Sequence, residues 1–288
     1  MGKTHPEAKA EADAPVASSS RLVEMVSQAF VNKQFEHGQQ LMDVIGQMAQ
    51  PLARDTQAYT ESSAIKLASG SSRPAVYCIA PYMPMGAFQY GELAASFGEE
   101  RNVWVLSNPG FSAQRALPLT LKQLLDDYRH AISASSHDPK FILVGHSGGG
   151  ILARHLAFHL EKQGIFPMAL VLIDSYPVGS MVPEFRHALM HNLASLWSSM
   201  PPGDEQLIAA AWYQRLLTHQ PLSAHATPTL LVRAEDALPG MQPITGKDWK
   251  VQWPEKVSTI DVPGDHFSMI HQRADNTVSQ IQQWLWKL

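Results

Sequence analysis

Apolar positions change their spacing repeatedly along the chain, and each change predicts an element. Leu22, Val23, Val26 and Phe30 recur at helical spacing. After Asn32-Lys33 a second helical pattern carries Leu41, Met42, Ile45, Met48 and Leu52. Beyond this two-helix leader the period shortens. Apolar runs at 64–67, 75–80, 102–106, 141–144, 168–173, 229–232 and 257–262 predict strands, the first of them weak. Helical patterns fall between them at 89–97, 119–134 and 151 to about 163, where Gly164 provides a stop. A last helix at about 276–288 places Val278, Ile281, Trp284 and Leu285 on one face. Strands alternating with helices predict an α/β chain: a mostly parallel central sheet with helices on both faces.

One stretch breaks the alternation. Residues 177–226 contain no strand pattern but two helical ones, 182–197 and 205–217, separated by Met200-Pro201-Pro202-Gly203. In an open α/β sheet the site lies beyond the carboxyl ends of the strands. A helical insertion that leaves one such strand end and returns before the next therefore predicts a lid. Residues 1–20, rich in Ala, Glu, Lys, Pro and Ser, carry too little apolar surface to order themselves and read as a tail or linker. Residues 21–55 then form the leader helices, and 56–288 the α/β domain. The apolar faces of the leader helices need a cover, either their own domain or a second copy of the chain.

Composition narrows the class. With 288 residues and 45% hydrophobic content, the chain suits one large globular domain with a substantial core. The net charge of −4 argues against nucleic acid as a partner. No apolar run approaches transmembrane length and no secretory leader is visible, so a cytoplasmic protein that does not span a membrane is expected. The single cysteine, Cys78, lies inside an apolar run and reads as a buried small hydrophobe.

The chemistry centres on Phe141-Ile142-Leu143-Val144-Gly145-His146-Ser147-Gly148-Gly149-Gly150. Four apolar residues enter Gly-x-Ser-x-Gly, and an apolar helical pattern follows. This is a nucleophile elbow in the strand–turn–helix context that the motif requires. The glycines suit a turn in which any Cβ would strike the neighbouring strand and helix. Ser147 is thereby the candidate nucleophile, raised at a helix N-terminus that favours developing negative charge.

A serine hydroxyl needs an imidazole base, and the base needs a carboxylate to orient it. Of 13 histidines, His266 lies directly after the last predicted strand, at the sheet edge that presents Ser147. His146 adjoins the serine, but the turn points its side chain away, as a packing residue. Two strand ends offer an acid: Asp174 after Val171-Leu172-Ile173, and Glu235 and Asp236 after Leu230 to Ala234. Asp265 is too close in sequence to His266 to orient it. Gly148 N–H supplies one oxyanion donor, and the loop after Ala80 should supply the other.

Three blocks carry a family resemblance: Val144-Gly145-His146-Ser147-Gly148-Gly149-Gly150, Val171-Leu172-Ile173-Asp174-Ser175-Tyr176-Pro177 and Val262-Pro263-Gly264-Asp265-His266-Phe267-Ser268-Met269. With Ser107-Asn108-Pro109-Gly110-Phe111 and the stretch 248–254, they make the chain from about residue 20 onward resemble the terminal thioesterase domains of modular polyketide synthases. That resemblance implies an α/β-hydrolase fold and a Ser147–Asp174–His266 triad, with Asp236 as the second choice of acid. It implies an acyl carrier protein as partner, dimerisation through the leader helices, and no metal or bound cofactor. It also implies release of an acyl chain by hydrolysis or macrolactonisation. The chain departs from the family at Ala80-Pro81-Tyr82-Met83-Pro84, where prolines stand in the oxyanion loop. Since proline has no N–H, Tyr82 or Met83 is the expected second donor. Other readings are an editing thioesterase that clears misacylated carriers, a general carboxylesterase, and a non-catalytic hydrolase-fold binding module.

Overall fold

A computed structural model describes residues 20–288 except 51, 53–63, 72–73, 85–86, 112–115, 136–138, 243 and 245–247. The expected tail at 1–20, Ser20 apart, and the boundary at 55/56 lie outside the described residues.

Among the described residues seven strands form one sheet: β1 (Ala64–Ala68), β2 (Ala75–Ile79), β3 (Val103–Leu106), β4 (Phe141–His146), β5 (Ala169–Ile173), β6 (Thr229–Ala234) and β7 (Ser258–Val262). Their order is β1-β3-β2-β4-β5-β6-β7. All neighbours pair in parallel except β1, which runs antiparallel to β3 at the edge. β2, β4 and β5 are buried along their whole length, as their unbroken apolar runs require of strands covered on both faces. β7, the other edge strand, is mostly exposed.

Helices cover the sheet as expected. α4 (Leu121–Ser135) and α5 (Gly148–Glu161) enclose one face with Tyr77, Leu143, Leu170 and Leu172. α3 (Gly91–Ser96) and α8 (Ala274–Leu285) enclose the other with Val76, Ile142, Val171 and Val232. Boundaries differ locally. The helix expected at 89–97 is a 3-10 turn, Ala87–Tyr90, followed by the short α3. α4 begins later than its apolar pattern because Thr120 and Gln123 form a reciprocal cap. Gln123 N–H donates to Thr120 Oγ1 (3.1 Å) and Leu119 N–H donates to Gln123 Oε1 (2.8 Å).

The leader forms α1 (Arg21–Val31) and α2 (Phe35–Ala49), and the strandless insertion forms α6 (Pro183–Ser199) and α7 (Asp204–Thr218). These four helices pack together, burying Val23, Val26, Phe30 and Met42 against Ala194, Trp197, Leu207, Ala210 and Ala211. At Gly46 a Cβ would lie 2.6 Å from the Ala211 carbonyl oxygen, so the backbones of α2 and α7 touch there. The apolar faces of the leader helices are thus covered within the chain. α2 ends at Ala49, before the expected Leu52, and Pro51 follows in the sequence. Val44 (51% exposed), Met48 (73%) and Leu52 (55%) remain on the outer side.

Candidate active site

β4 ends at His146, and Ser147 occupies the turn into α5 with φ 54° and ψ −128°. This is a strained conformation for a residue with a side chain, and it persists only because its surroundings fix it. Ser147 N–H donates to Ile173 O on β5 (3.0 Å). His146 N–H donates to Tyr90 Oη (2.9 Å), and Tyr90 in turn donates to Ile79 O (2.8 Å), so one buried tyrosine ties the elbow to β2. The glycines answer a need for space. A Cβ on Gly145 would lie 2.4 Å from Gly149 O, and one on Gly149 would lie 2.3 Å from Ile79 O. Gly148 is the first residue of α5, so its N–H has no partner within the helix.

His266 lies in the loop after β7, and its Nδ1 is 2.7 Å from Asp174 Oδ2. His266 is 1% exposed and Asp174 not at all, so the pair meets in a dry environment where each needs the other. Asp174 follows β5 with φ 40°, its N–H donating to Val232 O (2.7 Å) and its Oδ1 accepting from Ala234 N–H (3.4 Å). Asp236 is engaged elsewhere. Its Oδ2 accepts from Gly264 N–H (3.1 Å) and its own N–H donates to Gly264 O (3.1 Å), which fastens the end of β6 to the histidine loop. Asp265 shapes that loop: its Oδ1 accepts from Phe267 and Ser268 N–H, both at 2.9 Å, and its N–H donates to Ser268 Oγ at 2.8 Å. Gly264 supplies the φ of 110° on which the turn depends.

His146 is turned away from the cavity, as expected, but it is more than packing. Its Nε2 is 2.7 Å from the His266 carbonyl oxygen, and its ring stands 4.5 Å from the His266 ring. Burial, reinforced by the nearby His266, holds its pKa well below the usual histidine range.

The loop after β2 is fixed by a residue that its sequence context marks only as part of a turn. Asn108 is 4% exposed, and its Nδ2 donates to Ala80 O and Pro81 O, each at 3.0 Å. Its Oδ1 accepts from the buried Tyr128 hydroxyl. The same loop lays Tyr82 against the elbow, where a Cβ on Gly148 would meet the Tyr82 ring at 2.5 Å. Asparagine beside Pro-Gly after a strand is the one sequence signal for this clamp.

These pieces converge on one cavity of about 380 Å³, lined by Ser147, Gly148, Tyr82, Met83 and His266 and walled by apolar residues of α6. The architecture is that of an α/β-hydrolase. Residues 75–285 match the thioesterase domain family, and the chain belongs to that family of hydrolases.

Its relatives include polyketide synthases. Over 227 residues it is 32% identical to polyketide synthase GfsE of Streptomyces halstedii, covering 77% of this chain and 6% of that protein. Over 225 residues it is 30% identical to erythronolide synthase EryA3 of Saccharopolyspora erythraea, covering 77% of this chain and 7% of that one. The chain therefore spans less than a tenth of the length of these relatives. In fold it is similar to the thioesterase domain of NocB from the nocardicin cluster, with TM-score 0.57, 18% identity, and coverage of 77% of this chain and 97% of that one. The Vlm2 thioesterase domain gives TM-score 0.53 at 18% identity, covering 77% and 97% respectively. Among the described residues no helix is long and apolar enough to cross a membrane.

Proposed function

We propose that the chain releases an acyl chain from an acyl carrier protein through an acyl-Ser147 intermediate. The observation that carries this reading is the buried 2.7 Å contact between His266 and Asp174 at a cavity that Ser147 also lines. Asp174 accepts from His266 Nδ1–H, which leaves Nε2 bare as the base. His266 takes the Ser147 proton as Oγ attacks the thioester carbon. The oxyanion is held by Gly148 N–H and by the N–H of Tyr82 or Met83. The tetrahedral intermediate collapses, the pantetheine thiol leaves with the proton from His266, and the acyl group stays on Ser147. His266 then takes a proton from water, or from a hydroxyl of the same acyl chain, as that oxygen attacks the acyl carbon; the bond to Ser147 Oγ breaks, Oγ regains the proton from His266, and a free acid or a lactone leaves.

The proposed partners follow from the same reading. The kinship with polyketide synthases supports delivery of the substrate on a carrier domain. α6 and α7 act as the lid over the cavity. A second copy of the chain would cover the outer stripe of the leader, Val44, Met48 and Leu52.

Intact-mass spectrometry with an acyl-pantetheine thioester tests the mechanism. Wild-type protein gains one acyl group and Ser147→Ala gains none; turnover by Ser147→Ala at the wild-type rate overturns the reading. A matched oxygen ester run in parallel separates a thioesterase from a general carboxylesterase.

A further inference from the structure

The stretch 248–254 supplies no group to the chemistry above, yet in the structure it reaches back from between β6 and β7 to the acid. Trp253, 8% exposed, donates its Nε1–H to the carbonyl oxygen of Ser175 at 2.8 Å. Ser175 is the residue after Asp174 and is wholly buried. On its other side it presses on the nucleophile helix: a Cβ at Gly150 would lie 2.3 Å from Ser175 Oγ. The peptide that follows Asp174 is therefore held between α5 and the indole of Trp253.

Asp174 needs such a hold. Its φ of 40° is one that residues with a side chain rarely adopt, and it persists only where the surroundings fix it. Its carboxylate is otherwise loosely tied. Among the described residues it has, besides His266 Nδ1, only the 3.4 Å bond from Ala234 N–H. The aim of Oδ2 at the imidazole is thus set mainly by the backbone. That backbone is fixed at the residue by Asp174 N–H on Val232 O (2.7 Å) and after it by Trp253 on Ser175 O. The indole in turn is anchored on α5. Arg154, 2% exposed, stands 5.2 Å from the centre of its ring and pairs with Glu255. Arg154 lies about two turns beyond Ser147, in the helix that Ser147 begins.

We infer that Trp253 is a positioning residue of the site: its indole N–H fixes the Ser175 carbonyl and so keeps Asp174 in the backbone conformation that points Oδ2 at His266. The inference rests on the acyl-release reading above and adds to it a residue that touches neither substrate nor reacting atoms. Through Arg154, the helix that carries the nucleophile also sets the place of the acid.

Two replacements of Trp253 test this, with kcat and KM on one acyl-pantetheine thioester measured at a temperature where each protein is folded. Benzothienylalanine in place of Trp253 keeps the bicyclic ring and puts sulfur where the N–H was. Trp253→Phe also shrinks the ring, and the first replacement decides if the second does not fold. In both, kcat falls by about 10- to 100-fold, the scale of a small misplacement of a reacting group, while KM stays within about twofold. The same replacements in an Asp174→Asn background lower kcat by less than about twofold, because no carboxylate remains to be aimed. Undiminished kcat in the folded benzothienylalanine protein overturns the inference. So does an equal fall with and without Asp174→Asn, which makes Trp253 general packing; both results leave the thioesterase reading standing. Failure of wild type to cleave any thioester overturns that reading and the inference with it.

Discussion

His146 and His266 are joined through the backbone: the His146 imidazole lies 2.7 Å from the carbonyl oxygen of His266. That carbonyl can only accept, so Nε2 of His146 carries the proton and its Nδ1, which has no partner among the described residues, is bare. Burial keeps the ring neutral, which spares His266 a second cation at 4.5 Å when it becomes imidazolium.

His146 should therefore set the position of His266 rather than simply fill space. His146→Leu is expected to lower kcat on an acyl thioester by roughly tenfold and to lower stability by about 1–3 kcal/mol, since it leaves a buried carbonyl unpaired. His146→Gln, which retains a donor, should recover most of the loss. Steady-state kinetics at a temperature where the variant is folded separates positioning from packing: kcat should fall in His146→Leu while KM stays within about twofold. An unchanged kcat with a depressed melting temperature would reduce His146 to a structural residue.

The two candidate acids give a sharper contrast. Asp174→Asn turns an acceptor toward the His266 Nδ1–H into a mixed donor–acceptor and destabilises the imidazolium. A drop in kcat on the order of 10³–10⁴ is expected. Asp236→Asn still offers an oxygen to Gly264 N–H, so kcat should stay within about threefold. Steady-state kinetics of the two variants on one thioester decides the matter, and the reverse ranking would move the acid to β6.

How far the site could be read along the chain depended on whether its contacts are local. The elbow was legible because strand, glycines and helix follow one another within a few residues, and each glycine meets a neighbour that the turn itself brings close. His266 was legible from its place after the last strand. Position alone left the acid open, because Asp174 and Asp236 both follow strands of the sheet, and only the resemblance favoured Asp174. In the structure Asp236 pairs with Gly264, while Asp174 meets the His266 ring. Asn108 was hidden for a related reason: the carbonyls it binds belong to a loop 27 and 28 residues earlier. In the fold, the antiparallel direction of β1 left no trace in a five-residue strand of mixed burial. The cover over the leader helices was equally open, since their periodicity shows an apolar face but not which surface meets it.

The Asn108 clamp predicts a combined loss. Asn108→Ala releases the carbonyls of Ala80 and Pro81 and strands the buried Tyr128 hydroxyl. A destabilisation of roughly 2–3 kcal/mol is expected, visible as a fall of several degrees in Tm. Because the same loop carries Tyr82 and Met83, kcat should fall by about tenfold or more at temperatures where the variant remains folded. Unchanged kcat in folded Asn108→Ala would separate this loop from the chemistry.

The buried histidines should each contribute less stability as pH falls below 6.5. His155, buried on α5 and near Arg154, has its pKa pushed down to about 4, burial being the larger cause and Arg154 the smaller. His146 is lowered in the same direction. An unfolded chain protonates both near 6.5, while the folded chain resists. Their contribution is therefore complete above pH 6.5 and declines as pH falls, with the His155 share exhausted near pH 4. Asp127, whose pKa burial pushes up to about 6, acts in the opposite direction over the same range, so the test is the difference between variant and wild type: the thermal midpoint of wild type relative to His155→Gln should fall as pH falls from 6.5 to 4. An identical slope in the variant would remove His155 from the account.

The outer stripe of the leader makes a prediction about assembly. Val44 and Met48 stand one helical turn apart on α2, and Leu52 continues their spacing beyond its end. All three are more than half exposed, whereas Met42 on the inner side is 2% exposed. The inner face is already satisfied by α6 and α7, so charges on the outer face should leave the monomer fold intact while making a paired surface unfavourable to bury. Wild-type protein is expected to scatter light as a dimer of the 31.8 kDa chain, and Val44→Asp/Met48→Asp as a monomer with an unchanged circular dichroism spectrum. A wild-type monomer, or a dimer indifferent to both substitutions, would leave this stripe as ordinary exposed surface. Thioester turnover by the monomeric variant then shows whether pairing matters for the chemistry. The site residues all lie within one chain, so kcat should be retained within about twofold.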